Sequence, residues 1–117
     1  MQSEQVEIGG QSVTLQAPSS YTLRAEVWML SASNQLRGLA AALGMCWRGS
    51  GRPHVSYEGC RYDPAVYGAR VLDELMERGI TLQEVFKAGG VAIRLITDGL
   101  VAESEVKEAE GNLSAED

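Results

Sequence analysis

Asp63-Pro64-Ala65-Val66-Tyr67-Gly68-Ala69-Arg70-Val71-Leu72-Asp73-Glu74-Leu75-Met76-Glu77-Arg78-Gly79-Ile80-Thr81-Leu82-Gln83-Glu84-Val85-Phe86 reads as one complete helix followed by the start of another. Asp63 can accept the first unpaired N–H groups, and Pro64 sits at the first helical position, where no donor is needed. Gly68, Val71, Leu72, Leu75 and Met76 recur at three- and four-residue steps and define an inward face. Arg70 to Glu74 and Glu74 to Arg78 are outward i,i+4 pairs, and Gly79 closes a helix of about 63–78. Thr81 and Glu84 then form a capping box, with Ile80 and Val85 placed as a hydrophobic staple. The second helix, about 81–98, ends at Asp98-Gly99. Val85, Phe86, Ala92, Ile93 and Ile96 line its buried side, and Val91 and Leu95 widen it. A helix apolar around so much of its circumference is covered by more than one neighbour or by a partner chain. Gly89-Gly90 in its middle costs roughly 1 kcal/mol per glycine relative to alanine, which requires a kink or a close approach.

Upstream, Val6, Ile8, Val13 and Leu15 alternate with polar residues around Gly9-Gly10, giving a β-hairpin over 5–16 with one apolar face. A lone hairpin is marginal in water, so that face must lie on helices. Leu23, Val27 and Leu30 mark a helix of about 21–31 capped from Ser19, Ser20 or Thr22. Continuing its stripe meets Asn34 and Arg37, so a break is expected at Ser31-Ala32-Ser33. A small-residue helix of about 33–44 follows, with Leu36, Leu39, Ala40 and Leu43 inward and Gly44 as its stop. The stretch from Met45 to Tyr62 has no sustained period and reads as a long loop, in which His54-Val55-Ser56-Tyr57 is a candidate short strand pairing with the hairpin. Ser104 to Glu110 suggests a short acidic helix, and 111–117 a solvated, disordered acidic tail. The expected whole is a single α+β domain, predominantly helical, over 1–110: an N-terminal hairpin followed by four to five helices.

The chain has 117 residues, enough for one core and too few for two. Its net charge is −6, unevenly spread: residues 17–70 carry six arginines against three acids, whereas from Val71 onward eleven acids face four bases. An acidic chain lacks the basic face that nonspecific nucleic-acid binding requires. No apolar run reaches the roughly 20 residues that span a bilayer, and the polar start lacks the pattern of a secretion signal, so no membrane association is expected.

Few residues suggest chemistry. Cys46 and Cys60 read as free thiols. Together with His54 they form the one candidate metal or nucleophile set, but structural zinc wants four ligands in closer pairs. Arg48-Gly49-Ser50-Gly51-Arg52 resembles a phosphate cradle in composition, yet it lacks the P-loop spacing and leads into no helix. Neither cofactor, metal nor catalytic group is assigned. The aromatic and sulfur-bearing residues say more. Trp28 flanks the first helix's stripe, Trp47 opens the long loop, and Met29 and Met45 stand beside them. Trp28, Met29, Trp47, Phe86, Val91 and Leu95 are the candidate partner-binding residues.

Tyr62 to Leu75, and Leu95 to Asn112 with its Asp98-Gly99-Leu100 and Glu108 to Asn112 stretches, resemble small proteins of the tail-morphogenesis region of tailed bacteriophages and prophages. The nearest group is the tail assembly chaperones. The resemblance covers the last half of the chain and implies a mainly helical, non-enzymatic accessory protein in the bacterial cytoplasm that binds a phage tail component, the tape-measure protein, alone or as a homo-oligomer. It carries no motif that assigns a role to an individual residue. The N-terminal hairpin departs from a purely helical picture and leaves a structural connector or minor tail component retained in the virion as the alternative. A small metal-binding or catalytic protein using Cys46, His54 and Cys60 is the third reading.

Overall fold

Gly9 and Gly10 both take positive φ, 58° and 78°, the pairing that a two-residue turn needs to follow the right-handed twist of its strands. The turn sets the register of β1 (Ser3–Ile8) against β2 (Gln11–Gln16), with Ile8 opposite Gln11 and Val6 opposite Val13. Ile8, Val13 and Leu15 are buried and Val6 is partly buried, so the apolar face of the hairpin lies on the helices as its alternation required. The computed structural model describes residues 2–100, and within them the protein is α+β and mainly helical, a three-stranded antiparallel sheet followed by four α-helices. The expected helix at 104–110 and tail at 111–117 lie outside the described residues.

Ser20 caps α1 (Tyr21–Ser33) by accepting from the Leu23 N–H at 3.1 Å. The helix does not break at Ser31-Ala32-Ser33. The Ser31 and Ser33 hydroxyls donate back to the carbonyls of Trp28 and Leu30, at 2.6 and 3.2 Å, so both are satisfied within the helix. The break falls at Asn34, whose extended backbone turns the chain and whose side chain caps α2 (Gln35–Cys46) through the Arg37 N–H. Every residue from Gly38 to Cys46 is buried, making α2 the central helix, flanked by α1, by α3 (Pro64–Glu77) and by α4 (Leu82–Thr97).

Two boundary expectations are corrected here. Gly44 does not stop α2. A Cβ there would lie 2.7 Å from the Tyr67 hydroxyl and 3.0 Å from Val71 Cγ2, so the glycine serves the α2 to α3 packing. The helix continues to Cys46 and delivers Trp47 and Arg48 onto the free side of β2 as β3 (Trp47–Arg48), with Leu15 opposite Trp47. The strand expected at His54 to Tyr57 is therefore absent, and the sheet's third place is taken by residues the helix hands over. The His54 N–H goes to the Glu74 carboxylate, at 2.8 and 3.0 Å, rather than to a strand.

Asp63 caps α3 through Ala65 and Val66, with Pro64 at its start. Of the two outward pairs, only Glu74 with Arg78 forms; Arg70 turns to the loop and donates to the Gly59 carbonyl at 3.3 Å. Arg78 also donates to the carbonyls of Gly51 and Arg52, so Glu74 and Arg78 together fasten the long loop to α3.

The capping box of α4 forms, and it reaches further than the helix. One Glu84 oxygen accepts the Thr81 N–H at 2.9 Å, while the other accepts the Gly9 N–H of the hairpin turn, also at 2.9 Å. These donors hold the Glu84 carboxyl below its ordinary pKa of 4.5, the Thr81 backbone contributing most. A depressed folded-state pKa stabilises the protein above the unfolded value, and that contribution disappears as the pH drops through the folded one. The urea midpoint of the wild type should therefore fall more steeply below about pH 4.5 than that of Glu84→Gln. Parallel curves for the two proteins would show that the bridge contributes nothing.

Arg24 escapes any pattern read from sequence. It lies buried on α1, where Nε donates to the Ile96 carbonyl at 2.9 Å and Nη2 donates to Asp98 and, at 3.5 Å, to Leu95. A cation at the last carbonyls of α4 supplies partners those groups would otherwise lack and meets the negative end of the helix dipole.

Candidate interaction surface

The six candidate residues separate into two groups. Met29, Phe86 and Trp28 reach solvent, 65%, 42% and 38% exposed. Trp47 and Leu95 are enclosed at 1% and 5%, and Val91 is partly buried against the core. Trp47 is thus a core residue of β3, its indole N–H donating to the Ser50 carbonyl at 3.1 Å, and in the folded chain neither it nor Leu95 can meet a partner. Sequence reading missed four other exposed apolar side chains: Tyr21, Tyr62, Val66 and Leu82. Two of them had a signal. Tyr21 and Leu82 open their helices, ahead of the first turn that packs, and Leu82 stands four residues before Phe86.

Three of these side chains mark two surfaces, Met29 the first and Leu82 with Phe86 the second. Between α1 and the start of α3 runs a shallow groove floored by Ala25, Met29, Leu30, Pro64 and Ala65, with Glu26 and Asp63 at its edge. It exists because α1 packs chiefly on α2 and only lightly on α3. The second surface is the outer face of α4. Here Leu82 and Phe86 are exposed and Gly90 and Ile93 partly so, while Val85, Ala88, Gly89, Ala92, Leu95 and Ile96 turn inward.

The residues considered for chemistry are dispersed or engaged. Cys46 and Cys60 are both buried free thiols. Burial pushes the Cys46 thiol up to about 12, with Arg48 and Arg24 opposing only in part, so it stays protonated and unreactive at neutral pH. Cys60 sits beside Arg70, and His54 is exposed. Among the described residues no three His, Cys, Asp or Glu side chains come together to hold a metal ion. The arginine and glycine loop acts as a structural turn. Gly49 and Gly51 take positive φ, Arg48 donates to the Met45 carbonyl at 2.8 Å, and the Ser50 carbonyl receives both Trp47 and Gln11. No described helix is long and apolar enough to cross a membrane.

No family model, curated protein or solved structure matches the chain.

Proposed function

We propose that this chain is a non-enzymatic accessory protein of phage tail assembly that binds an apolar helical segment of a partner, a tail component such as the tape-measure protein. One observation carries the binding part of the reading. Large apolar side chains, Trp28 and Met29 on α1 and Leu82 and Phe86 on α4, stand at the surface of helices whose opposite faces already complete the core. Helix-in-groove recognition uses such side chains as contacts. The phage context is supported by the resemblance of Tyr62 to Leu75 and of the stretch beginning at Leu95.

Met29→Glu and Phe86→Glu remove apolar surface without touching the core, so each should change folding stability by no more than about 0.5 kcal/mol. The wild type, co-expressed with the tape-measure protein of its own genome, should elute with it on size exclusion, and the two variants should not. Wild-type elution alone, or unchanged complexes with both variants, would remove the reading. Mass spectrometry of purified virions then separates two roles, since a transient accessory protein is missing from the finished particle and a minor tail component is present.

A further inference from the structure

We infer that the outer face of α4 is the crossing point for a partner helix that carries carboxylates alongside an apolar stripe. The inference rests on the reading above that the partner is a protein helix, and it adds where that helix lies and what charge it bears.

Leu82, Phe86, Gly90 and Ile93 are spaced four, four and three residues apart, which aligns them along one side of α4. The two adjacent glycines behave differently. Gly89 is needed inside the protein, because a Cβ there would stand 2.9 Å from Leu39 Cβ and 3.0 Å from the Leu39 carbonyl oxygen of α2. Gly90 has no such neighbour: nothing lies within 4 Å of the Cβ it lacks. A glycine inside a helix is destabilising against alanine, and no contact among the described residues compensates at position 90. What the missing side chain does provide is bare helix backbone between Phe86 and Ile93. A second helix crossing there can approach more closely than side chains normally permit.

Charge selects the occupant. Lys87 and Arg94 are both exposed and lie on the solvent side of the stripe, next to Gly90 around the helix. Among the described residues the only ion pair is Arg78 with Glu74, so neither base has a carboxylate partner there. The helix's own acid, Glu84, is taken by Thr81 and Gly9. A second copy crossing through the same face would set bases against bases, which disfavours self-association. A helix with glutamates or aspartates beside its apolar residues meets the apolar stripe and both cations at once. The chain's own acids bear on the test, since six acids and one base follow Leu100.

The probes are two fluorescein-labelled synthetic helices of roughly twenty residues, long enough to hold helix in water. They share a leucine stripe with alanine at its centre and differ in flanking residues, glutamate in one and lysine in the other. Anisotropy titrations use the full-length protein. The glutamate helix should bind at least about tenfold more tightly than the lysine helix, and added salt should narrow the gap. Lys87→Glu with Arg94→Glu should reverse the preference. Gly90→Leu should abolish binding of the glutamate helix while leaving the circular dichroism spectrum unchanged, because that side chain points into open space. Equal binding of both helices, lost in Phe86→Glu, would overturn the charge inference while the apolar-helix reading survived. Binding of neither helix would sink both. If the glutamate helix binds only after Glu103, Glu105, Glu108 and Glu110 are all changed to glutamine, the face is covered by the chain's own acidic segment, and the inference of an external partner is overturned.

Discussion

Gly68→Ala should lower the stability of the fold by about 3 kcal/mol or more, whereas Gly90→Ala should raise it by about 0.5–1 kcal/mol. Both glycines occupy helix interiors, so propensity alone predicts a gain at each. Surroundings separate them. A Cβ on Gly68 would sit 2.2 Å from the Arg37 carbonyl oxygen and 3.0 Å from its carbon, both backbone atoms of α2. Side chains can rotate away from an intruding methyl, but a helix backbone cannot. Ordinary contact would be restored only by moving α2 and α3 apart by about 1 Å, along an interface whose other members, Val71, Leu75, Ala41 and Leu43, are fully buried. Urea unfolding of the two variants beside the wild type measures this directly. A Gly68→Ala midpoint at or above the wild-type value would mean that the α2 to α3 approach is looser than described. The Gly90 result also bears on partner recognition, because a variant that folds better while binding the glutamate helix less well shows the glycine kept for contact rather than for folding.

The hairpin and the two capped helices were legible because their signals are local. Gly9-Gly10 with flanking alternation fixes a register, and Asp63-Pro64 and Thr81 with Glu84 satisfy backbone groups within four residues of themselves. What sequence could not supply were contacts that depend on distant parts of the chain. Arg24 lies among the apolar residues of α1 and would be assigned to solvent by its type, yet its acceptors are the last carbonyls of a helix more than seventy residues away. β3 has only two residues and no period to detect; it forms because α2 ends where β2 has a free side. His54 to Tyr57 carried the alternation of a strand, but Val55 turns toward the core and Tyr57 stacks edge-on between Tyr62 and Tyr67, so the same alternation serves a packed loop. The surface shows the same division. The apolar arc of α4 was too wide for one buried face, which made Phe86 a partner candidate. Phe86 and Ile93 were nevertheless placed on the buried side, and the structure turns Phe86 out to solvent and leaves Ile93 partly exposed. The groove beside Met29 depends on how α1 packs against α2 and α3, which no single element encodes.

Trp47→Ala should reduce stability by about 3–5 kcal/mol, a large part of the 5–15 kcal/mol typical of a domain, and Trp28→Ala by less than about 1 kcal/mol. Both tryptophans were read as interface candidates, and the structure gives them opposite surroundings. Trp47 packs within the core opposite Leu15, and its truncation would leave a cavity beneath the sheet and remove one of the two donors, with Gln11, that the Ser50 carbonyl now receives. Trp28 reaches solvent on α1, so removing it leaves no enclosed cavity. Fluorescence tests the placement separately from the energetics. With Trp28→Phe, Trp47 is the sole indole, and its emission should lie to the blue and resist quenching by iodide until the protein unfolds. With Trp47→Phe, Trp28 should emit further to the red and be quenched readily. A Trp47 indole open to iodide in the folded protein, together with a mild Trp47→Ala, would move that residue back among the partner-binding candidates. The expected pattern leaves Trp28 as the one indole able to meet a partner, and it makes a shift in its emission the simplest signal of binding near α1.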